Sequence, residues 1–313
     1  MPVIDPALMR PDAISEETRA FNADFEAKTR DLPRTHEVPV ELTRQARDEG
    51  RGVFPMGGPL ETGSEWRELP SGRRVRISAP EGAPRALYLH VHGGGWTLGR
   101  PSHYDVQNQA RAAATGAVVV SVEYRLAPEH PFPAGPDDCA AAAAWALDAW
   151  PGLPVAVGGE SAGAHLAAVT LLHLRAAGRL ERVRGAVLNY GCFDLRMTAS
   201  AANWGERQLV LSTPTMRFFA ERFVPDAALR GTPEVSPLMA DLSGMPPALF
   251  QIGTMDPLLD DSLLMAARWA GAGAEAELAV HPGGIHAFDM FRDLAIAKDF
   301  TAREAAFLNR AFG

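Results

Sequence analysis

Six short runs of hydrophobic residues alternate along the chain with alanine-rich segments of helical length. Within each run, apolar residues follow one another directly instead of occupying every second position, which is typical of strands buried on both faces. The runs span residues 86–92, 117–124, 154–159, 185–190, 247–253 and 276–281. This alternation predicts an α/β protein with a mostly parallel sheet covered by helices on both faces.

Residues 65–80 predict a β-hairpin in front of these runs. Val75 and Ile77 alternate there with arginines, and the segment Pro70-Ser71-Gly72 supplies the turn. Added to the six runs, the hairpin gives a sheet of about eight strands.

Two stretches of the chain do not fit the repeat of strands and helices. The first 60 residues contain helix-like segments at 15–30 and 40–50 but no strand pattern. The interval between Tyr190 and Ala248 is much longer than one strand-helix-strand unit. We therefore predict a single core over residues 61–191 and 246–313, an N-terminal addition over residues 1–60 and an insertion over residues 192–245.

The composition is that of a globular protein and excludes several classes of partner. Of the 313 residues, 47% are hydrophobic and 22% are charged, so the chain can bury a large core. The net charge is −8 and no basic run is long enough to form a phosphate-binding stripe, which argues against a nucleic-acid partner. No apolar stretch reaches the roughly 18–20 residues of a membrane span, and the N-terminal segment lacks the pattern of a signal peptide. We therefore expect a cytoplasmic protein without a membrane partner.

The segment Gly159–Gly163, with the sequence GESAG, lies between a predicted strand and a predicted helix. A serine in this position stands at a sharp turn with a strained backbone, and flanking glycines let the strand and the helix come close. Because 29 glycines make chance matches to the bare pattern common, the position between strand and helix carries the inference. Ser161 is the candidate nucleophile.

A second glycine-rich segment, with the sequence HGGGW, begins at His92 at the end of a predicted strand. Consecutive glycines leave their backbone N–H groups uncovered, and such groups stabilise the oxyanion of a tetrahedral intermediate. We expect N–H groups of these glycines, together with that of Ala162 after the candidate nucleophile, to form such an oxyanion hole. The simpler alternative is a flexible glycine loop before a helix.

A serine nucleophile needs a base and a carboxylate that orients the base. Among nine histidines, His286 is the candidate base, because loops at the carboxyl ends of parallel strands hold the sites of such sheets, whereas His281 would end the last strand. Asp256 is the candidate carboxylate because it directly follows a strand and turn, while Asp260 and Asp261 fall in the next helix. We expect activity to fall at acid pH as an ordinary imidazole protonates, near pH 6.5.

The GESAG and HGGGW segments, together with YRLAPEHPFPA at residues 124–134, resemble the bacterial hormone-sensitive-lipase-like esterases, family IV of the α/β-hydrolase superfamily. The resemblance runs from about Leu87 to Phe288. It implies an α/β-hydrolase fold with a helical cap built from the two additions, and ester hydrolysis without a metal or cofactor. It also implies that Gly93, Gly94 and Ala162 are the oxyanion donors and that His92 holds the glycine loop in place. Glu160 departs from the aspartate more usual in the family but keeps the carboxylate.

The resemblance implies that the partner is a small-molecule ester, with short- to medium-chain acyl groups as the expected substrates. Trp96, Trp204, Phe218 and Phe288 are expected to line an apolar pocket, and the acidic net charge favours neutral esters. Two alternatives are an amidase or arylformamidase with the same three residues, and a non-catalytic small-molecule receptor on this fold. A homodimer formed through the exposed edge strand near residues 276–281 is a further hypothesis.

Overall fold

An eight-stranded sheet forms the centre of the computed structural model, which describes residues 4–58 and 63–313. The strands are β1 (Ser64–Glu68), β2 (Arg74–Ser78), β3 (Ala86–Val91), β4 (Ala117–Glu123), β5 (Val155–Glu160), β6 (Val183–Asn189), β7 (Ala248–Met255) and β8 (Ala276–Ile285). Their order across the sheet is β1-β2-β4-β3-β5-β6-β7-β8. The predicted hairpin and all six predicted strands are present.

The sheet is parallel except at the edge formed by the hairpin. β1 pairs antiparallel with β2, and β2 pairs antiparallel with β4, whereas the five remaining pairs of neighbours are parallel. The central strands β3 and β5 are buried along their whole length, which explains why their sequences show no polar alternation. The prediction of a mostly parallel α/β sheet is confirmed.

Helices cover both faces of this sheet. In the described part of the chain the α-helices are α1 (Glu16–Thr29), α2 (Val40–Asp48), α3 (Asp105–Thr115), α4 (Ala134–Ala149), α5 (Ala162–Ala176), α6 (Ala199–Asn203), α7 (Thr213–Phe223), α8 (Leu259–Gly271) and α9 (Ala295–Phe312). Leu87 and Leu89 of β3 pack towards α4 and α5, while Ala86 and Tyr88 pack towards α3 and α9. A helix long and apolar enough to cross a membrane does not occur in the described ranges.

The last strand is longer than the sequence predicts. Instead of ending at His281, β8 continues through Pro282 to Ile285, which pairs with Met255 after a shift of register. A proline is tolerated there because β8 lies at the edge of the sheet, where one side of the strand needs no ladder hydrogen bonds. His286 therefore follows the strand directly rather than lying within a long loop.

The N-terminal addition and the insertion contact each other. Arg207 of the insertion pairs with Glu26 of α1 at 3.0 Å, and His36 Nδ1 lies 3.0 Å from Thr215 Oγ1 of α7. The predicted boundary between residues 60 and 61 lies outside the described residues. The insertion holds α6 and α7 between the end of β6 and the start of β7.

Candidate active site

Ser161 stands at the turn between β5 and α5. Its backbone angles, φ 58° and ψ −121°, lie in a region that residues other than glycine rarely adopt. Its N–H donates to the carbonyl oxygen of Asn189 on the neighbouring β6 at 2.9 Å, so the sheet holds the strained turn in place. The turn presents the Ser161 side chain beyond the carboxyl end of β5.

The glycines on either side of this turn are required by the available space. A Cβ at Gly159 would lie 2.1 Å from the carbonyl oxygen of Val91, and a Cβ at Gly163 would lie 2.0 Å from the same atom. Both distances are far below any real Cβ contact, because the turn packs directly against the backbone of β3. The glycines of the GESAG pattern are thus required because β3, β5 and α5 come very close together at this turn.

Two hydrogen bonds join Ser161, His286 and Asp256. His286 Nε2 lies 2.9 Å from Ser161 Oγ, and His286 Nδ1 lies 2.8 Å from Asp256 Oδ2. The other carboxylate oxygen of Asp256 accepts the N–H of Leu258 at 2.9 Å, which fixes the orientation of the carboxylate. Asp256 is 2% and His286 4% exposed. The structure brings together the three residues that the sequence analysis selected, although they are far apart along the chain.

The competing candidates have other partners. His281 lies inside β8 and is 3% exposed. Asp260 accepts the backbone N–H of Ser200 at 2.8 Å, and Asp261 accepts that of Phe193 at 2.6 Å. Burial raises the pKa of Asp261 to about 7. These two carboxylates hold the start of the insertion against α8. In the described part of the chain, no group of His, Cys, Asp and Glu side chains is arranged to hold a metal ion.

The N–H of Gly93 already has an acceptor, which corrects its predicted role in the oxyanion hole. It donates to the hydroxyl oxygen of Tyr104 at 3.2 Å. By contrast, the N–H groups of Gly94, Gly95 and Ala162 have no acceptor within residues 4–58 and 63–313, and all three residues line the cavities that contain Ser161. Gly95 therefore replaces Gly93 as a candidate donor. Nothing in the sequence around Tyr104 marked it as a partner of the glycine loop.

His92 and Tyr124 hold the beginning of the glycine loop. His92 Nδ1 donates to the carbonyl oxygen of Gly93 at 2.9 Å, and its ring stacks on that of Tyr124 with centroids 4.2 Å apart. The Tyr124 hydroxyl donates to the carbonyl oxygen of His92 at 2.9 Å. Burial lowers the pKa of His92 to about 3, so the ring stays neutral and keeps one N–H for the loop. The structure places His92 in contact with the loop that it was expected to support.

Trp96 anchors the other end of the loop to α5 through His165. Trp96 itself has a positive φ of 56°, and its Nε1 donates to His165 Nδ1 at 3.0 Å. His165 Nε2 lies 2.6 Å from the carbonyl oxygen of Val235 in the insertion and donates to it. A second proton on Nδ1 would face the indole N–H, so this arrangement requires a neutral imidazole. Burial lowers the pKa of His165 to about 4.

The free energy of unfolding is expected to depend on His165 below neutral pH. The pKa of its imidazole is about 4 in the folded protein and about 6.5 in the unfolded chain, so between these values only the unfolded chain takes up the proton. The contribution of His165 to the free energy of unfolding is fully present above pH 6.5. It is lost as the pH falls towards 4, and the total loss is up to roughly 3 kcal/mol. Urea unfolding of His165→Gln will therefore show a smaller loss of stability between pH 7 and pH 5 than the wild type.

His173→Gln is the matched control, because His173 is exposed on the same helix. This variant should keep the pH dependence of the wild type. The explanation would be wrong if His165→Gln lost as much stability on acidification as His173→Gln.

Glu160, which precedes the serine, joins a buried polar cluster behind it. Its carboxylate lies 2.8 Å from His90 Nε2 of β3 and 3.2 Å from the guanidinium of Arg111 on α3. Arg111 in turn pairs with Glu304 of α9 at 2.5 Å. Burial alone would raise the pKa of Glu160, but the hydrogen bonds and charges of His90 and Arg111 outweigh burial and lower it. The carboxylate stays charged and ties β5 to three neighbouring elements.

Two open cavities meet at Ser161. The larger, of about 540 Å³ including the part that is open to solvent, extends towards the N-terminal addition. The smaller, of about 340 Å³, has a mostly apolar wall formed by Trp96, Ala162, Cys192, Leu211, Met216, Phe219 and Leu258. Gly95, Leu211 and Phe219 line both cavities, so these residues form the constriction between them. Two separate cavities suit a substrate with two parts that flank one reacting bond.

Of the four residues predicted to line the pocket, Trp96 is the one that borders the described cavities at Ser161, and the prediction for the other three is corrected. Trp204 and Phe288 belong to a hydrophobic cluster with α1 and α9, and Phe218 lies under an arginine of its own helix. Phe219 faces the site instead of Phe218. Neighbouring residues on a helix point about 100° apart, so the sequence FF does not show which ring faces inward.

Comparison with known proteins gives consistent matches. The chain matches the alpha/beta hydrolase fold family over residues 88–290. It is 34% identical over 236 residues to carboxylesterase NlhH of Mycobacterium tuberculosis, covering 72% of this chain and 73% of that protein. It is also 34% identical over 269 residues to an acetyl-hydrolase of Streptomyces hygroscopicus, covering 82% and 85%.

Two solved structures resemble nearly the whole chain. A hyperthermophilic esterase from the archaeon Pyrobaculum calidifontis has a TM-score of 0.83 and 30% identity, with 95% of this chain and 98% of that one covered. A hormone-sensitive lipase from a metagenome library has a TM-score of 0.84 and 29% identity, with the same coverage.

The sheet order, the helices on both faces and the matched family place the chain in the α/β-hydrolase superfamily. Within it, the chain belongs to the hormone-sensitive-lipase-like esterases of family IV and is a carboxylic-ester hydrolase. The predicted family, fold and enzyme class are confirmed.

Proposed function

We propose that this esterase hydrolyses short- to medium-chain acyl esters with Ser161 as nucleophile, His286 as base and Asp256 as the orienting carboxylate. The observation that carries the proposal is the pair of hydrogen bonds, 2.9 Å and 2.8 Å long, that joins the three side chains at the strained turn. Such a constellation activates a hydroxyl group that is otherwise a weak nucleophile.

Each residue has one task in the two-step reaction. His286 Nε2 takes the proton of the Ser161 hydroxyl as Oγ attacks the ester carbonyl, and Asp256 stabilises the imidazolium that forms. His286 then gives this proton to the departing alcohol oxygen, which leaves an acyl group on Ser161. Water, deprotonated by His286, attacks the acyl-enzyme and releases the acid.

The uncovered N–H groups of Gly94, Gly95 and Ala162 are the proposed oxyanion donors. Their freedom from protein acceptors supports this role, because a donor that is already bonded must break that bond before it can stabilise the oxyanion. One such donor typically contributes about 2.7–4 kcal/mol to transition-state stabilisation. The neutral His92 ring and the Trp96 indole position the loop without touching the reacting atoms.

The proposed chain-length preference rests on the smaller cavity. Its mostly apolar wall suits a short apolar group, and we assign the N-terminal addition and the insertion the role of a cap over Ser161. A series of p-nitrophenyl esters from acetate to laurate tests the proposal, with the highest kcat/KM expected between butyrate and octanoate. If formanilides were hydrolysed far faster than these esters, the result would favour an amidase or arylformamidase. If a fluorophosphonate failed to label Ser161, the result would favour a receptor.

Phe219 is expected to limit chain length. A Cβ at Gly95 would lie 2.4 Å from the Phe219 ring, so this ring closes the constriction between the cavities. Phe219→Ala should raise the ratio of kcat/KM for octanoate to that for butyrate by about tenfold, since one or two additional methylenes gain contact. Phe218→Ala, a loss of the same ring one position earlier, is the control and should leave the ratio unchanged. Equal ratios in both variants would place the chain-length limit elsewhere.

A further inference from the structure

Arg47, near the end of α2, lines the larger cavity together with Ser161 and His286. Its guanidinium is the one permanently charged group in that wall, and no aspartate or glutamate lines this cavity in the described ranges. The remaining polar side chains of the wall are hydroxyl groups and the His286 imidazole. A fixed positive charge in a catalytic cavity has a strong effect on which substrates bind there.

Among residues 4–58 and 63–313, Arg47 also has no carboxylate partner, unlike its neighbours. Arg44, one turn earlier, pairs with Glu129 at 2.6 Å, and Arg51 pairs with Glu49. The adjacent Asp48 is directed to Arg100 at 2.6 Å and is not available to Arg47. The lack of a carboxylate partner among the described residues is therefore specific to Arg47 and is not shared by Arg44 or Arg51.

The surroundings of Arg47 strengthen its electrostatic attraction to an anionic ligand. Its side chain is half-buried, and its guanidinium lies 5.7 Å from the centroid of the Phe54 ring. Burial lowers the pKa of Arg47 from its ordinary value, because the charged form is less well solvated there than in water. An anion in such a place binds more strongly than at an exposed arginine, because screening by water is weaker.

We infer that Arg47 binds a carboxylate of the substrate, so that the preferred esters carry one carboxylate at a distance from the reacting bond. This inference rests on the proposed function, and it specifies the substrate class of the same site. A lone guanidinium matches a carboxylate through two parallel hydrogen bonds. The smaller cavity holds the apolar part of the ester on the other side of Ser161.

The net charge of −8 favours neutral esters only at long range. Exposed charges are screened beyond about 8–10 Å at physiological salt, whereas a shielded pair inside the cavity is not. The local cation therefore decides the preference once the substrate has entered.

The test uses two matched pairs of substrates. Mono-p-nitrophenyl adipate and p-nitrophenyl hexanoate differ by a carboxylate on the acyl side, and para-acetoxybenzoate and its methyl ester differ by a carboxylate on the alcohol side. In at least one pair, Arg47→Met should lower the ratio of kcat/KM for the charged ester to that for the neutral ester by about ten- to a hundredfold. The loss should lie mainly in KM, and Arg47→Lys should restore part of it.

Arg51→Met is the matched control, because it removes the same charge from the neighbouring segment outside the cavity, and its ratios should equal those of the wild type. An unchanged ratio in both pairs for Arg47→Met would overturn the inference. So would an equal loss for charged and neutral esters, because Arg47 would then only support the cap through Phe54. Failure of the proposed function differs from both outcomes: neutral esters would not be hydrolysed and a fluorophosphonate would not label Ser161.

Discussion

Ser161→Ala is expected to lower kcat/KM for p-nitrophenyl butyrate by at least about ten-thousandfold. Without the hydroxyl, His286 has no proton to take and no acyl-enzyme forms, so the covalent path is lost entirely. The residual rate would come from the oxyanion donors and from binding alone. Steady-state kinetics with butyrate, together with labelling by a fluorophosphonate, measure both the rate and the covalent step.

Ser71→Ala is the control, because Ser71 lies in the exposed turn between β1 and β2. This variant should keep full activity and full labelling. Circular dichroism should show that Ser161→Ala is folded, since the alanine only has to occupy the strained turn. Labelling of Ser161→Ala at the wild-type rate would contradict the assignment of the nucleophile.

Gly163→Ala is expected to destabilise the protein by at least about 3 kcal/mol, the largest stability effect that we predict. The added Cβ would lie 2.0 Å from the carbonyl oxygen of Val91 and 2.7 Å from that of His92. Both atoms are backbone, so either α5 or β3 has to move, and movement of either disturbs Ser161. Thermal and urea unfolding measure the loss, and activity should fall with it.

Gly271→Ala provides the matched control. Gly271 ends α8, and a Cβ at this position would meet no atom within 4 Å. Because alanine favours a helix more than glycine does, this variant should have a free energy of unfolding equal to or slightly higher than that of the wild type. If Gly163→Ala were as stable as Gly271→Ala, the close packing of the turn on β3 would be disproved.

Most of the fold could be predicted because its strands are buried on both faces. Helices cover β3 and β5 completely, so most of their positions are apolar or glycine, and the polar exceptions His90 and Glu160 pair with each other. The end of β8 could not be predicted in this way. Pro282 and two glycines normally interrupt a strand, and only the edge position of β8 allows the strand to continue to Ile285.

The hydrogen-bonded residues could also be selected from the sequence, because each occupies the end of a strand. Ser161, Asp256 and His286 each follow a parallel strand, and parallel strands place their carboxyl ends at one edge of the sheet. Chain order and strand position therefore point directly to Ser161 and Asp256. For His286 the sequence predicts a loop beyond His281, and only the structure shows that β8 runs up to Ile285, directly before it. The candidate oxyanion donors were harder to select, because the sequence does not show that the Gly93 N–H donates to the hydroxyl of Tyr104.

The sequence by itself determined the sheet, the turn that carries Ser161 and the three residues that meet there, since these depend on local patterns and on strand order. Only the tertiary structure decided which N–H groups remain uncovered, that Phe219 rather than Phe218 faces the site, and that Arg47 lines the cavity without a carboxylate partner in the described part of the chain. The orientation of Phe219 and the position of Arg47 depend on how the two additions pack over the core, whereas the contact of Gly93 with Tyr104 lies within the core. Such packing joins segments far apart along the chain, and the hydrophobic pattern does not encode the rotation of a helix or the choice of an ion-pair partner.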